Sequence, residues 1–187
     1  ADERSLAEDV LDGLTRPFKE LPPKHFYDTR GAELFDRICE LPEYYPTRTE
    51  RAILEAHADD IVARTGAAEL VELGSGTAAK TRLLLRAMDE AGTLRRYVPL
   101  DVTEEMIHRT AAELVEEHAG LVVHGIVGDF ERHLPYVPPP EDGPRVVAFL
   151  GGTVGNFPPG TRRRLLRTIS RLLRDWAAKY RYGNVTT

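Results

Sequence analysis

Two glycines bracket one residue in Val71-Glu72-Leu73-Gly74-Ser75-Gly76-Thr77. Glycine lets a backbone bend sharply and lie against a ligand with no Cβ between them. Further along, Asp101 closes one apolar run and Gly128-Asp129-Phe130 closes another. A carboxylate in the first of these places can accept both hydroxyls of a ribose. An acid followed by an aromatic ring in the second suits an adenine, held by its exocyclic amine and its ring face. Lys80 is the basic side chain nearest the bend.

The bend alone has a plainer reading, since many tight turns contain two glycines. Gly74-Ser75-Gly76 followed by Ala79 also satisfies the dinucleotide pattern Gly-x-Gly-x-x-Gly/Ala, so a nicotinamide cofactor competes. A dinucleotide needs a cradle for its pyrophosphate, and one lysine is a poor cradle. The acid after the second run and the acid–aromatic pair after the third together favour S-adenosylmethionine. Lys80 then meets the carboxylate of its methionine part. Structural alternatives stay open for single residues: Asp101 as the cap of the next helix, Phe130 as core.

Other reactive side chains point to no second chemistry. The six histidines (His25, His57, His108, His118, His124 and His133) show no metal-ligand spacing with one another or with cysteine. They read as solvated or capping groups. Cys39, the one cysteine, lies on the apolar side of a predicted helix and reads as a small hydrophobe. Ser75 lacks the glycines two residues away on each side that a nucleophile elbow needs. Arg162-Arg163-Arg164 reads as a solvated helix face, too small for nucleic-acid binding.

Alternating strands and helices must position the bend and the acids. Strands are predicted over 69–73, 96–101, 121–127 and 145–150, with helices over 78–90, 103–118 and 161–176 between and after them. Such alternation predicts a parallel sheet covered on both faces. The run Val146-Val147-Ala148-Phe149-Leu150 lacks alternation, as a doubly buried strand should. The expected strand order is three-two-one-four, which leaves the fourth at an edge. Upstream, helices are predicted over 5–14, with Ser5 and Glu8 at capping-box spacing and an apolar stripe of Leu6, Val10, Leu11 and Leu14. A second covers 32–39, with Leu34, Phe35 and Ile38 inward. A third runs from Thr47 to about Arg64, with Glu50 as the box partner of Thr47 and Gly66 as its stop. Residues 1–66 thus form a helical cap, 67–176 the α/β core, and 177–187 a tail with no assignment.

Bulk properties agree. The chain has 187 residues, 42% hydrophobic and 29% charged, with a net charge of −5. That balance fits a globular core and argues against nucleic-acid or membrane-surface binding. A single cysteine permits no internal disulfide and fits a cytoplasmic setting. No apolar run approaches the length of a membrane span.

Four blocks go further: Leu41-Pro-Glu-Tyr-Tyr-Pro-Thr-Arg-Thr-Glu50, Val71-Glu-Leu-Gly-Ser-Gly-Thr77, Gly128-Asp-Phe130 and Gly151-Gly-Thr-Val-Gly-Asn156. Together with Pro22-Pro-Lys-His-Phe-Tyr-Asp28, they resemble the histidine-specific S-adenosylmethionine-dependent methyltransferases. The likeness runs from about Leu21 to about Arg174. The implied fold is α/β: a Rossmann-like S-adenosylmethionine-dependent methyltransferase core, its parallel sheet incomplete, under an N-terminal helical cap. The implied activity is methyl transfer to the α-amine of L-histidine, of the ergothioneine-biosynthesis type.

The resemblance implies a role for each matching position. Gly74 and Lys80 bind the cofactor, Asp101 its ribose, and Asp129 and Phe130 its adenine. Tyr27 closes over it. Tyr44 donates its hydroxyl to the histidine substrate, Asn156 holds the substrate's amino-acid backbone, and Thr153 lines the same pocket. Tyr44 and Asn156 are therefore the expected catalytic pair. Methyl transfer from a sulfonium needs a neutral amine, and peptide α-amines titrate near ~7.7–8.0. Positioning groups then suffice without a strong base. The family's later part, which completes the sheet and supplies contacts near the imidazole, has no counterpart after Arg174. Two expectations follow. The chain either belongs to a longer protein or pairs with a second copy at the fourth strand, and adenosyl binding without turnover is the alternative function.

Overall fold

The computed structural model describes residues 6–22, 25, 29–141 and 143–181. Three helices come first: α1 (Leu6–Thr15), α2 (Thr29–Cys39) and α3 (Tyr45–Thr65). The alternating part then runs β1 (Glu69–Leu73), α4 (Thr81–Glu90), β2 (Arg96–Asp101), α5 (Glu104–Glu117), β3 (Val122–Val123), β4 (Ile126–Val127), α6 (Phe130–His133), β5 (Arg145–Ala148) and α7 (Pro159–Arg181). All the strand pairings are parallel, in the order β3-β2-β1-β5, with β4 also on β2. This is the predicted order of a Rossmann-like sheet, and β5 is at its edge among the described residues.

Strand alternation builds two cores. Leu70 and Tyr97 face α3, α4 and α5, packing with Leu54, Val62, Leu85, Met88 and Leu114. Val71, Leu73, Val98 and Leu100 face the other way, against Leu134, Val137 and Leu165 of α7. Central strand β1 is buried at all five positions. No helix among the described residues is long and apolar enough to cross a membrane.

Several predicted details change. The third strand is split into β3 and β4. At the break stands Gly125, where a Cβ would come within 2.4 Å of the Ile107 side chain on α5. The helix predicted from residue 78 begins at Thr81, because Ala78 takes a positive φ of 52° and still belongs to the bend. The final helix extends to Arg181. In α2, Leu34, Phe35 and Ile38 are not inward: they are 45%, 36% and 42% exposed. Among the described residues the helix packs chiefly against α3, which leaves that face largely uncovered. Leu11 and Leu14 of the α1 stripe are also exposed. The cap predicted at Ser5 lies outside the described residues. Helix α3 ends as predicted, with Gly66 at φ 57° donating its amide to the Val62 carbonyl.

Candidate functional site

The C-terminal tips of β1, β2, β4 and β5 gather most of the predicted site residues. Gly74, Gly76 and Ala78 all take positive φ, at 72°, 49° and 52°. A Cβ built on Gly74 or Gly76 would meet nothing within 4 Å, so the outer side of the bend is open. The tips of β1, β2 and β4 are stitched by backbone bonds. The Gly74 amide donates to the Leu100 carbonyl at 2.8 Å, and the Gly128 amide to the Asp101 carbonyl at 2.8 Å. Asp101 and Asp129 therefore rise from adjacent strand tips beside the bend.

Asp101 also shapes what it borders. Its Oδ2 accepts the Gly76 amide at 2.9 Å and its Oδ1 accepts the Thr103 amide at 3.0 Å. Asp101 is not itself the cap of α5: Thr103 holds the N-cap position, and the Asp101 carboxylate steers the chain toward it through the Thr103 amide. A carboxylate offers about four acceptor sites, so capacity for two ribose hydroxyls remains. Asp129 does cap α6, its Oδ1 accepting the Glu131 amide at 2.9 Å. Phe130 stands edge-on to Phe149 and Phe157, at centroid distances of 5.2 and 5.7 Å. It is half-buried, so one ring serves the core and still borders the tips.

Beneath the bend lies a buried carboxyl that the sequence did not single out. Glu72 is 3% exposed and accepts hydrogen bonds from the hydroxyls of Thr81 and Tyr97. Burial pushes it from an ordinary 4.5 up to about 7, against the opposing pull of both hydroxyls and Lys80. Burial and the neighbouring Glu72 hold the Tyr97 phenol well above its usual range. Folded Glu72 keeps its proton through a pH window where the unfolded chain has lost it. Stability from this group is present below 4.5 and lost as pH rises through about 7. At 1.36 kcal/mol per pH unit the ceiling is about 3 kcal/mol. Urea unfolding of wild type and Glu72→Gln should show the variant gaining about 2–3 kcal/mol on wild type between pH 5 and pH 8. A pH-independent difference would contradict this assignment.

The remaining predicted residues lie on other elements. Tyr44 is at the N-cap of α3, half-buried, its ring edge-on to Phe35 at 5.9 Å. The Arg48 guanidinium secures the preceding turn by donating to the Leu41 and Pro42 carbonyls at 2.8 and 2.6 Å. Arg48 thereby ties the Leu41–Pro42 turn to the first turn of α3. Thr153 and Asn156 bound a 3-10 turn after β5, Thr153 half-buried and Asn156 exposed. Tyr27 lies outside the described residues. Glu50 does not act as a box partner of Thr47, because α3 begins at Tyr45, two residues earlier. Its carboxylate instead takes the Lys80 ammonium and the Gly151 amide. Cys39 is half-buried and accepts from the Thr47 hydroxyl at 3.3 Å. Among the described residues no group of histidine, cysteine and acid side chains could hold a metal.

A parallel doubly wound sheet with a glycine bend and two acids at its strand tips defines the class of α/β proteins that bind a ligand across those tips. The model of the family described as histidine-specific, S-adenosylmethionine-dependent methyltransferases matches residues 6–179, and the chain belongs to that family. Three relatives illustrate its range. The histidine N-alpha-methyltransferase of Mycobacterium tuberculosis is 46% identical, over 93% of this chain and 54% of that protein. Ergothioneine biosynthesis protein 1 of Neurospora crassa is 36% identical, over 74% of this chain and 16% of that protein. A 4-dimethylallyltryptophan N-methyltransferase of Claviceps purpurea is 31% identical, over 90% of this chain and 50% of that protein. The chain spans about half the length of the first and third.

Proposed function

We propose that this chain carries the cofactor-binding part of an enzyme that transfers a methyl group from S-adenosylmethionine to the α-amine of L-histidine. The observation that carries the reading is the pair of acids, Asp101 and Asp129, on adjacent strand tips beside an open glycine bend. The residues fit an adenosyl group. Gly74 and Gly76 leave room for it, Asp101 has spare acceptors for the ribose, and Asp129 with Phe130 offers an acceptor and a ring for adenine. Lys80 offers an ammonium to the methionine carboxylate. Bound there, the cofactor supplies a methyl group on a sulfonium.

The chain's own residues supply placement. Tyr44 stands at the start of α3 and Asn156 in the turn after β5. In this reading Tyr44 orients the substrate by its hydroxyl, Asn156 holds the amino-acid backbone, Thr153 lines the pocket and Tyr27 covers the cofactor. Well-oriented reactants gain roughly 7–11 kcal/mol over free encounter, so positioning can carry much of the catalysis. The histidine preference rests on the relatives' names, and the proposed setting is the cytoplasm.

Calorimetric titration with S-adenosylhomocysteine, with and without L-histidine or L-tryptophan, tests the reading. Binding that L-histidine tightens and L-tryptophan leaves alone is expected. Methylated histidine should appear by mass spectrometry once S-adenosylmethionine is supplied. Binding with no effect of histidine would support adenosyl binding without turnover. No binding at all would contradict both.

A further inference from the structure

We infer that Glu50 is a positioning residue that aims Lys80 at the cofactor's carboxylate and fixes the turn carrying the substrate-side residues. The inference rests on the adenosyl reading above. Glu50 lies in the second turn of α3, in the helical cap, yet neither of its partners is local. Its Oε2 accepts from the Lys80 ammonium, 30 residues away, at the start of α4. Its Oε1 accepts the Gly151 amide at 2.7 Å, 101 residues away, just past β5. One carboxylate thus joins α3 to the start of α4 and to the segment that follows β5.

Three features make this more than a surface ion pair. Both side chains are mostly covered, Lys80 at 23% exposure and Glu50 at 28%, so the pair is only partly screened. Gly151 takes a φ of 82°, which favours glycine, and a Cβ there would be in ordinary contact with the Lys80 nitrogen at 3.7 Å. Gly151 also heads the segment that carries Thr153 and Asn156, so the bond to its amide sets where that turn begins. An ammonium has three donors, and Glu50 takes one, leaving two for a ligand carboxylate. Lysine is a point charge on a flexible stem, so a fixed carboxylate beside it selects one direction for the head.

Two probes separate this role from a merely structural one. S-adenosylhomocysteine carries the carboxylate, and 5′-methylthioadenosine has the same nucleoside without it. Glu50→Ala should weaken S-adenosylhomocysteine about tenfold, the worth of a hydrogen bond to a charged group, and leave 5′-methylthioadenosine within about twofold. Glu50→Gln, which keeps an oxygen acceptor, should recover part of the loss. Unchanged or increased S-adenosylhomocysteine affinity in Glu50→Ala would overturn the inference, the increase marking Glu50 as a competitor for Lys80. Equal loss of both probes would overturn it too, as a sign that Glu50 holds only the cap in place. If wild type binds neither probe, the adenosyl reading itself falls, and this inference with it.

Discussion

Asp101→Ala is expected to cut the affinity for S-adenosylhomocysteine by at least about 100-fold, measured by calorimetry. Two losses combine. The ribose loses a charged acceptor, and hydrogen bonds to charged groups are each worth about 1.5–3 kcal/mol. The glycine bend also loses the bond that pins the Gly76 amide, and the entry to α5 loses its bond to the Thr103 amide. An unpinned bend must be ordered when ligand binds, which further lowers affinity. Asp101→Asn keeps one acceptor and loses the charge, so its affinity should fall between the two. Affinity within about threefold of wild type in Asp101→Ala would remove the ribose from this carboxylate.

Glu69→Ala is expected to lower stability by about 3–5 kcal/mol, because it strips the buried Arg145 guanidinium of its counter-charge and leaves Arg96 with the exposed Glu141 carboxylate at 3.3 Å. Glu69 opens β1 and is paired in register with Arg96 of β2 on one side and Arg145 of β5 on the other. Both guanidiniums donate to its carboxylate. All three residues are buried, at 3%, 9% and 6% exposure. The arginines also reach past it, Arg96 to the Pro139 carbonyl at 2.8 Å and Arg145 to the Pro138 carbonyl. One carboxylate therefore ties the N-terminal ends of three strands to the proline loop below them. Urea unfolding should show the drop, and the melting temperature should fall by roughly 10 °C for a chain of this size. A loss under about 1 kcal/mol would show that the triad is dispensable.

Local signals made the strands legible. Strand β2 occupies residues 96–101 as read, because a helix stop at Gly92 precedes it and Asp101 ends it. The order of the sheet was expected from the likeness to a Rossmann-like core, since alternation predicts parallel strands but not which of them are neighbours. The misread details depend on contacts distant in sequence. Ala78 looked like a helix opener and instead completes the bend. Leu34, Phe35 and Ile38 looked inward by periodicity, which says that a face is apolar but not what covers it. Glu50 was hidden for the same reason. Thr47-x-x-Glu50 fits a capping box, while its partners in the structure lie 30 and 101 residues off. Glu72 gave no signal at all, since one acid among strand residues carries no period. The acids Asp101 and Asp129 were found because each closes an apolar run. Their local bonds, Asp101 to the Thr103 amide and Asp129 as the cap of α6, are compatible with that reading.

The central claim concerns where one nucleoside lies. A crystal structure of the chain with S-adenosylhomocysteine should show both ribose hydroxyls on the Asp101 carboxylate, with the adenine between Asp129 and the Phe130 ring, above Gly74 and Gly76. A nucleoside seated anywhere else, with those two carboxylates facing solvent, would contradict the account.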